Sequence, residues 1–366
     1  YGQTYVVTID AGIFLDGTAS YAGLGAEAWR FSTKPAPPAL GSARLTVAAD
    51  GTGDFCTVQG ALDFIPEGNT APVTIFVKRG TYPEIVAFRH KDNITLRGED
   101  RKRTVIAYAN NARFSGFGGN PYDPAGKSPD NEGQPVYRRG VLLAQRAAGF
   151  TLENLTIRNT TPHGGSQAEC IIFNGTGEAR AVVKDVDLFS FQDTLQINGQ
   201  AYLTGCHIEG DVDFMWGTGP SFFENCTARA TSSRAYYTQI RNPGSKHGFV
   251  YYHCTLDGDP GVTGDYFSRI EPNRYPQSEV VLIDCTLGPN VSPVAWLLQG
   301  RNLPPAPPPV HFWEYHSHAP DGAAIDVSQR PTFARELRLP ADAAIIEAYS
   351  DPAKVLGHGW NPRAAP

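Results

Sequence analysis

Two aspartates stand 20 residues apart in apolar, aromatic-rich stretches: Asp193 in FQDTL (191–195) and Asp213 in VDFMWG (212–217). An unpaired buried carboxylate is costly, so acids in such surroundings need a partner or a task. Two carboxylates held side by side cannot both ionise freely; one pKa is expected to rise and the other to fall. That leaves one carboxylate able to act as nucleophile or base and one carboxylic acid able to give up a proton. Hydrolysis of an ester or a glycoside needs that pair. The plainer reading is two loop-capping aspartates bonded to backbone amides, and spacing alone leaves both open.

Proximity across 20 residues requires a scaffold that repeats. A pattern of apolar residue, spacer, Asn/Asp/Gly/His, then a small apolar residue or Cys recurs around Leu155, Val186, Cys206, Cys226, Cys254 and Cys285. Self-similarity at unequal spacing is what a solenoid shows when loops of varying length leave regular turns. The units are short and β-branched, which favours an all-β chain folded as a right-handed, single-stranded parallel β-helix with long side loops; a β-sandwich is the alternative. One 20-residue turn then superposes Val186 on Cys206, Leu188 on Ile208 and Asp193 on Asp213, roughly one strand spacing of ~4.8 Å apart. Recurrent cysteine reads as an inward-facing stack of small side chains. Alternatively Cys206 and Cys226, one turn apart, are within reach of a disulfide.

The bulk numbers narrow the field. The 366 residues carry 38 Gly and 29 Pro, 41% hydrophobic residues and a net charge of −6. Many turns and an ample core follow. With no Lys/Arg cluster there is nothing to hold nucleic acid, and no window has the length of a membrane span. The histidines lack zinc-site spacing, so neither metal nor cofactor is expected. Residues 1–34 read as strand and turn and resemble the last strands of a bacterial immunoglobulin-like domain. Residues 35–42 form a Pro-rich linker, and 43–366 hold the β-helix. This organisation points to a monomeric bacterial protein, secreted or displayed at the cell surface.

The resemblance becomes specific when the motifs are taken together. GTYPE (80–84), SQAECI (166–171), FQDTL, VDFMWG and the tail WEYHS…DGAAIDVSQR (313–330) with GW (359–360) resemble pectin methylesterases in order and rough spacing. The similarity runs from about Leu45 to Trp360. It implies hydrolysis of the methyl esters of homogalacturonan (pectin), with no cofactor. Asp213 would be the nucleophile, giving a covalent acyl-enzyme, and Asp193 the proton donor to methoxide. Gln167 and Gln192 would donate to the developing oxyanion, and Arg269 would hold Asp213. Phe191, Phe214, Trp216, Tyr82 and Glu169 are the expected substrate contacts. The family commonly has Arg-Pro-Trp where this chain has Arg269-Ile270-Glu271, so the sugar subsites look rebuilt; Trp216 either replaces that stacking surface or is a buried spacer. The acids Glu169 and Glu271, with the net charge, predict repulsion of dense carboxylate runs and a preference for highly methylated substrate. Competing readings are an esterase or thioesterase on another substrate, and an inactive polysaccharide-binding β-helix.

Overall fold

The computed structural model describes residues 1–16, 19–114, 139–175, 179–300 and 309–364. The Gly- and Pro-rich stretch 117–138, whose composition reads as a loop that either walls a cleft or lies on the surface, is outside the described residues. The chain divides into two compact units, Tyr1–Ser42 and Ala43–Pro366. In the first, Thr4–Val6 pairs antiparallel with Arg30–Ser32, and Tyr5 stacks on Phe31.

The second unit is a parallel β-helix. Its strands fall into three sheets of 11, 8 and 8 strands, and consecutive strands of each sheet pair in parallel with the strand one turn later. The register follows the sequence pattern: Thr156, Asp187, His207, Thr227, Thr255 and Thr286 occupy one column. The residues preceding them are therefore the repeated Leu155, Val186, Cys206, Cys226, Cys254 and Cys285. The polar position before each of these turns the corner in left-handed backbone: Asn154, Asp185, Gly205, Asn225, His253 and Asp284 have φ between 51° and 63°. Only glycine adopts that conformation freely, and Asn and Asp tolerate it best among the rest. The sequence repeat is thus the chemical signature of one corner of the solenoid.

The cysteines of this corner are buried and unbridged. The Cys206, Cys226, Cys254 and Cys285 thiols donate to the carbonyls of Val183, Leu203, Phe223 and Tyr251 at 3.3–3.5 Å. Of the two readings of Cys206 and Cys226 the stack is correct and the disulfide is not, because each sulfur is satisfied by a backbone carbonyl of an earlier turn. Burial pushes the Cys206 and Cys226 thiols far above the ordinary range.

GTYPE has a structural role at the first turns. Glu84 accepts from the backbone amides of Val58 and Gln59, both at 2.8 Å, at the start of the helix Val58–Phe64. Tyr82 is 1% exposed and its hydroxyl donates to the Lys78 carbonyl at 2.8 Å. It is a core side chain, and the expectation that it contacts substrate is wrong.

At the opposite end of the chain the helices Ala343–Tyr349 and Pro352–Leu356 bring Tyr349, Val355 and Leu356 into an apolar cluster with Tyr202, Phe222 and Val281. Glu279 anchors this layer: its carboxylate meets His247 Nδ1 at 2.8 Å and His311 Nδ1 at 2.7 Å, and accepts from the Tyr349 hydroxyl at 2.7 Å. Although burial opposes it, these partners hold the Glu279 carboxyl down at about 2, while the hydrogen bond to Glu279 raises His247. A lowered acid stabilises above its unfolded pKa and loses that contribution as pH falls through the folded value; a raised histidine stabilises below its unfolded pKa and loses it as pH rises. The cluster therefore contributes most between the two unfolded values, 4.5 and 6.5. Thermal melts of native protein and Glu279→Gln across pH should differ most in that window and converge on both sides. A difference independent of pH would contradict the assignment.

Candidate active site

Asp193 and Asp213 lie at the corner where one eight-stranded sheet hands the chain to the other. Asp187–Phe189 and His207–Gly210 pair before the corner, Leu195–Ile197 and Met215–Gly217 after it. The Asp193 amide donates to the Val212 carbonyl at 3.0 Å, and that of Leu195 to Phe214 at 2.8 Å. The two acids thus hold equivalent places on successive turns, as their 20-residue spacing requires. Both are left-handed, with φ of 64° and 50°. Such backbone stores strain where geometry matters. Gly217 closes the motif because a Cβ there would run into the Ile197 carbonyl.

The two carboxylates have different partners. Arg269 grips Asp213 with two parallel bonds, Nε to Oδ1 and Nη2 to Oδ2, each 2.7 Å. Gln239 Nε2 adds a third donor to Oδ2 at 3.0 Å. The Arg269 guanidinium lies over the Tyr236 ring at 4.1 Å, which fixes the fork. Its partner is Asp213, as the resemblance implies. Asp193 instead meets Arg139, whose Nη2 donates to Oδ2 at 2.9 Å while Nε donates to Glu169 Oε1 at 2.8 Å.

Burial pushes both aspartates up. For Asp213 the Arg269 hydrogen bonds and charge pull back, and the carboxyl ends above the ordinary range rather than below it. For Asp193 burial is reinforced first by the charge of Glu169 and only then by Asp213, against the opposing pull of Arg139, so its carboxyl stands well above the usual range. The expected split, one value up and the other down, is not found: both are raised, and the two acids differ instead in their partners. One acid is bound by a guanidinium that it does not share, and the other shares its guanidinium with a second, fully buried carboxylate.

Gln167 and Gln192 are neighbours on adjacent turns, the Ala168 amide donating to the Gln192 carbonyl at 3.1 Å. Both are half-buried. Gln167 Oε1 accepts from Ser166 at 3.3 Å, leaving its NH2 to donate elsewhere, and the Gln192 side chain has no hydrogen-bond partner among the described residues. These are the amides available to a carbonyl oxygen that becomes negative. Losing one such donor typically costs about 2.7–4 kcal/mol of transition-state stabilisation. Gln192→Ala should therefore lower kcat by roughly 10²–10³-fold with KM little changed; a pure KM effect would assign Gln192 to binding alone.

The aromatic and acidic expectations divide. Trp216 is half-buried beneath the Arg241 and Arg139 guanidinium groups, 4.9 and 5.6 Å from its ring, and Phe191 is half-buried with its ring edge-on to His163. Phe214 is wholly buried against Tyr237 and cannot touch substrate. Glu169 is 0% exposed and paired with Arg139, so it is neither a sugar contact nor a surface charge that repels pectate. Arg139, Gln239 and Arg241 were missed. Gln239 was within reach of the turn alignment, since it faces Trp216 in register. Arg139 had no local signal, because what gives it meaning is Glu169, thirty residues on.

A parallel β-helix that sets a guanidinium-bound carboxylate one turn from a second, buried carboxyl, with two side-chain amides beside them, is the architecture of a carboxylic-ester hydrolase. The sequence profile of the Pectinesterase family matches residues 44–338, and the chain belongs to that family. Pectinesterase 31 of Arabidopsis thaliana is 28% identical over 302 residues, covering 80% of this chain and 87% of that protein. Pectinesterase 1 of the same plant is 26% identical over 329 residues, and the chain spans about half, 51%, of its length. The structure resembles pectin methylesterase from carrot with a TM-score of 0.69 at 21% identity, covering 89% of this chain and 95% of that one, which establishes the shared right-handed β-helix. These relatives are plant proteins and lend no support to the bacterial origin expected from the first 34 residues.

Proposed function

We propose that the chain hydrolyses the methyl esters of homogalacturonan, releasing pectate and methanol, with Asp213 as nucleophile. The observation that carries this reading is the bidentate Arg269 clamp on Asp213 one turn from the buried Asp193, whose carboxyl is pushed well above the usual range by burial and by the Glu169 charge. Asp213 attacks the ester carbonyl, whose oxygen becomes negative against the Gln167 and Gln192 amides. Asp193 gives its proton to the departing methoxide, and an acyl-enzyme anhydride with Asp213 remains. A water then loses a proton to Asp193 and attacks that acyl group, freeing Asp213 and the galacturonate. Arg269 keeps the nucleophile in one rotamer through both steps.

An inactive polysaccharide-binding solenoid has no specific support, because both acids, both glutamines and the arginine are all present. No helix among the described residues is long and apolar enough to cross a membrane. Secretion, with pectin met outside the cell, fits the family. The test follows methanol and polymer length together on highly methylated pectin. Methanol with undiminished viscosity supports the reading; falling viscosity or unsaturated ends would replace it with a depolymerase, and no methanol from folded protein would remove the substrate assignment.

A further inference from the structure

Gln167, Asp193 and Asp213 lie just before the strands Ile171–Asn174, Leu195–Ile197 and Met215–Gly217, which pair in succession, so they come from three consecutive turns. One side chain, His163, spans all three. Pro162 to Gly165 form a tight turn closed by the Gly165 amide, which donates to the Pro162 carbonyl at 2.9 Å. Its third residue, Gly164, is left-handed with φ of 76°, and glycine suits that place. His163 is thereby set at the tip, on the stretch leading into Gln167. From there its ring lies edge-on to Phe191 of the next turn, with centroids 4.8 Å apart. Its Nε2 donates to Asp211 Oδ2, on the turn after that, at 2.5 Å. The two ends of this bond differ: the His163 side chain is 55% exposed and that of Asp211 only 8%. Asp211 is fixed by backbone on every side. Its Oδ1 accepts from the Val212 amide at 2.6 Å, its own amide donates to the Phe191 carbonyl at 2.8 Å, and its carbonyl accepts from the Tyr236 amide at 2.7 Å. Tyr236 is also the ring beneath the Arg269 guanidinium. The turn of His163, in contrast, is exposed from Pro162 to Gly164, and exposed turns with few buried contacts open locally.

We propose that His163 and Asp211 form a clasp that sets the Gln167 amide against the Asp213 carboxylate, which makes His163 a positioning residue of the reaction. The proposal rests on the reading of Gln167 as an oxyanion donor given above. Such a donor must lie within hydrogen-bond distance of the place where the carbonyl oxygen becomes negative, and a misplacement of about 1 Å can cost on the order of 10²-fold in rate. The clasp moors an exposed turn to a buried carboxylate beside the nucleophile. Its contact with Phe191 takes in the middle turn, where Gln192 and Asp193 follow directly. Both His163 and Asp211 fall just outside the motifs SQAECI and VDFMWG, so the motifs supply the reacting groups and the clasp sets the distance between them.

His163→Ala should release methanol from highly methylated pectin with kcat lowered on the order of tenfold or more and KM within about twofold of native. The side chain removed is largely exposed, so the melting temperature should barely move. In His163→Gln the side-chain amide can still donate to Asp211, and most of the loss should be recovered. Amide exchange reads the clasp without turnover. The amides of Gly165 and of Ala112, which donates to the Gln167 carbonyl at 2.9 Å, should exchange about tenfold faster in His163→Ala and near the native rate in His163→Gln. Unchanged exchange in His163→Ala would overturn the proposal, as would a raised KM at native kcat, which would make His163 a substrate contact. A kcat lost as fully in His163→Gln as in His163→Ala would also overturn it, by assigning the effect to the imidazole itself. Native protein that released no methanol would count against the esterase reading, while the exchange comparison would still decide the clasp.

Discussion

Asp213→Asn should abolish methanol release, with a loss on the order of 10⁴-fold or more, as when one member of a nucleophilic constellation is removed. The amide keeps the shape but has no anion to attack with, and it leaves the Arg269 guanidinium without its counter-charge. Asp193→Asn should also be severely impaired on methyl esters, for a different reason: methoxide is a poor leaving group and must be protonated as it departs. An activated ester separates the two roles. With a p-nitrophenyl leaving group, which needs no proton, the first step in Asp193→Asn should recover as a burst of nitrophenolate, whereas Asp213→Asn should show none. If the burst appears in Asp213→Asn instead, the two aspartates have been assigned the wrong way round. The pH dependence has a fixed sign. Activity falls as pH drops through the Asp213 value, because the anion attacks, and falls again as pH rises through the Asp193 value, because the acid is lost.

Glu169→Gln should move the upper limb of that profile to lower pH. Asp193 is faced by Glu169, Arg139, Asp213 and Arg241, and of these charges Glu169 contributes most to keeping its proton on. Arg139 sits between the two carboxylates with little exposure. Neutralising Glu169 removes the anion that competes with Asp193 for that guanidinium, which favours the ionised form of Asp193 and removes the acid from the first step. Breaking a buried pair from one side typically also costs about 3–5 kcal/mol of stability, so a melting point must accompany the kinetics. The double change Arg139→Met/Glu169→Val removes both charges, and it should restore the limb toward its native position even if stability recovers only in part. A limb that stays put in Glu169→Gln, with activity lost merely in proportion to unfolding, would reduce Glu169 to a structural role.

What could be read beforehand divides along one physical line. The solenoid and its register were legible because each turn repeats one corner, and that corner demands a left-handed residue followed by a small one. Asn154, Asp185, Gly205 and Asn225 announce it. The pairing of Asp193 with Asp213 follows from the same periodicity. Charges that meet across unequal turns were not legible. Arg139 lies 54 residues from the aspartate that it touches, and Arg269 lies 56 from its own. Arg269 was found only through resemblance. Phe214 and Tyr82 were misread because an aromatic residue beside a motif residue says nothing about which side of the backbone it faces; Phe214 follows the left-handed corner at Asp213, ahead of the strand Met215–Gly217, and packs inward against Tyr237. Glu169 was misread as a surface charge because its neutralising partner is invisible in the local sequence.

The column of four thiols bears on how the protein is made. A bridge between Cys206 and Cys226 would have tied correct folding to an oxidising compartment and its isomerases. With every sulfur in the column engaged by a carbonyl instead, the solenoid needs no oxidising compartment to complete itself. It should also remain native in a strong reductant. Each turn is closed by contacts with its immediate neighbours, so maturation is independent of the cellular redox state.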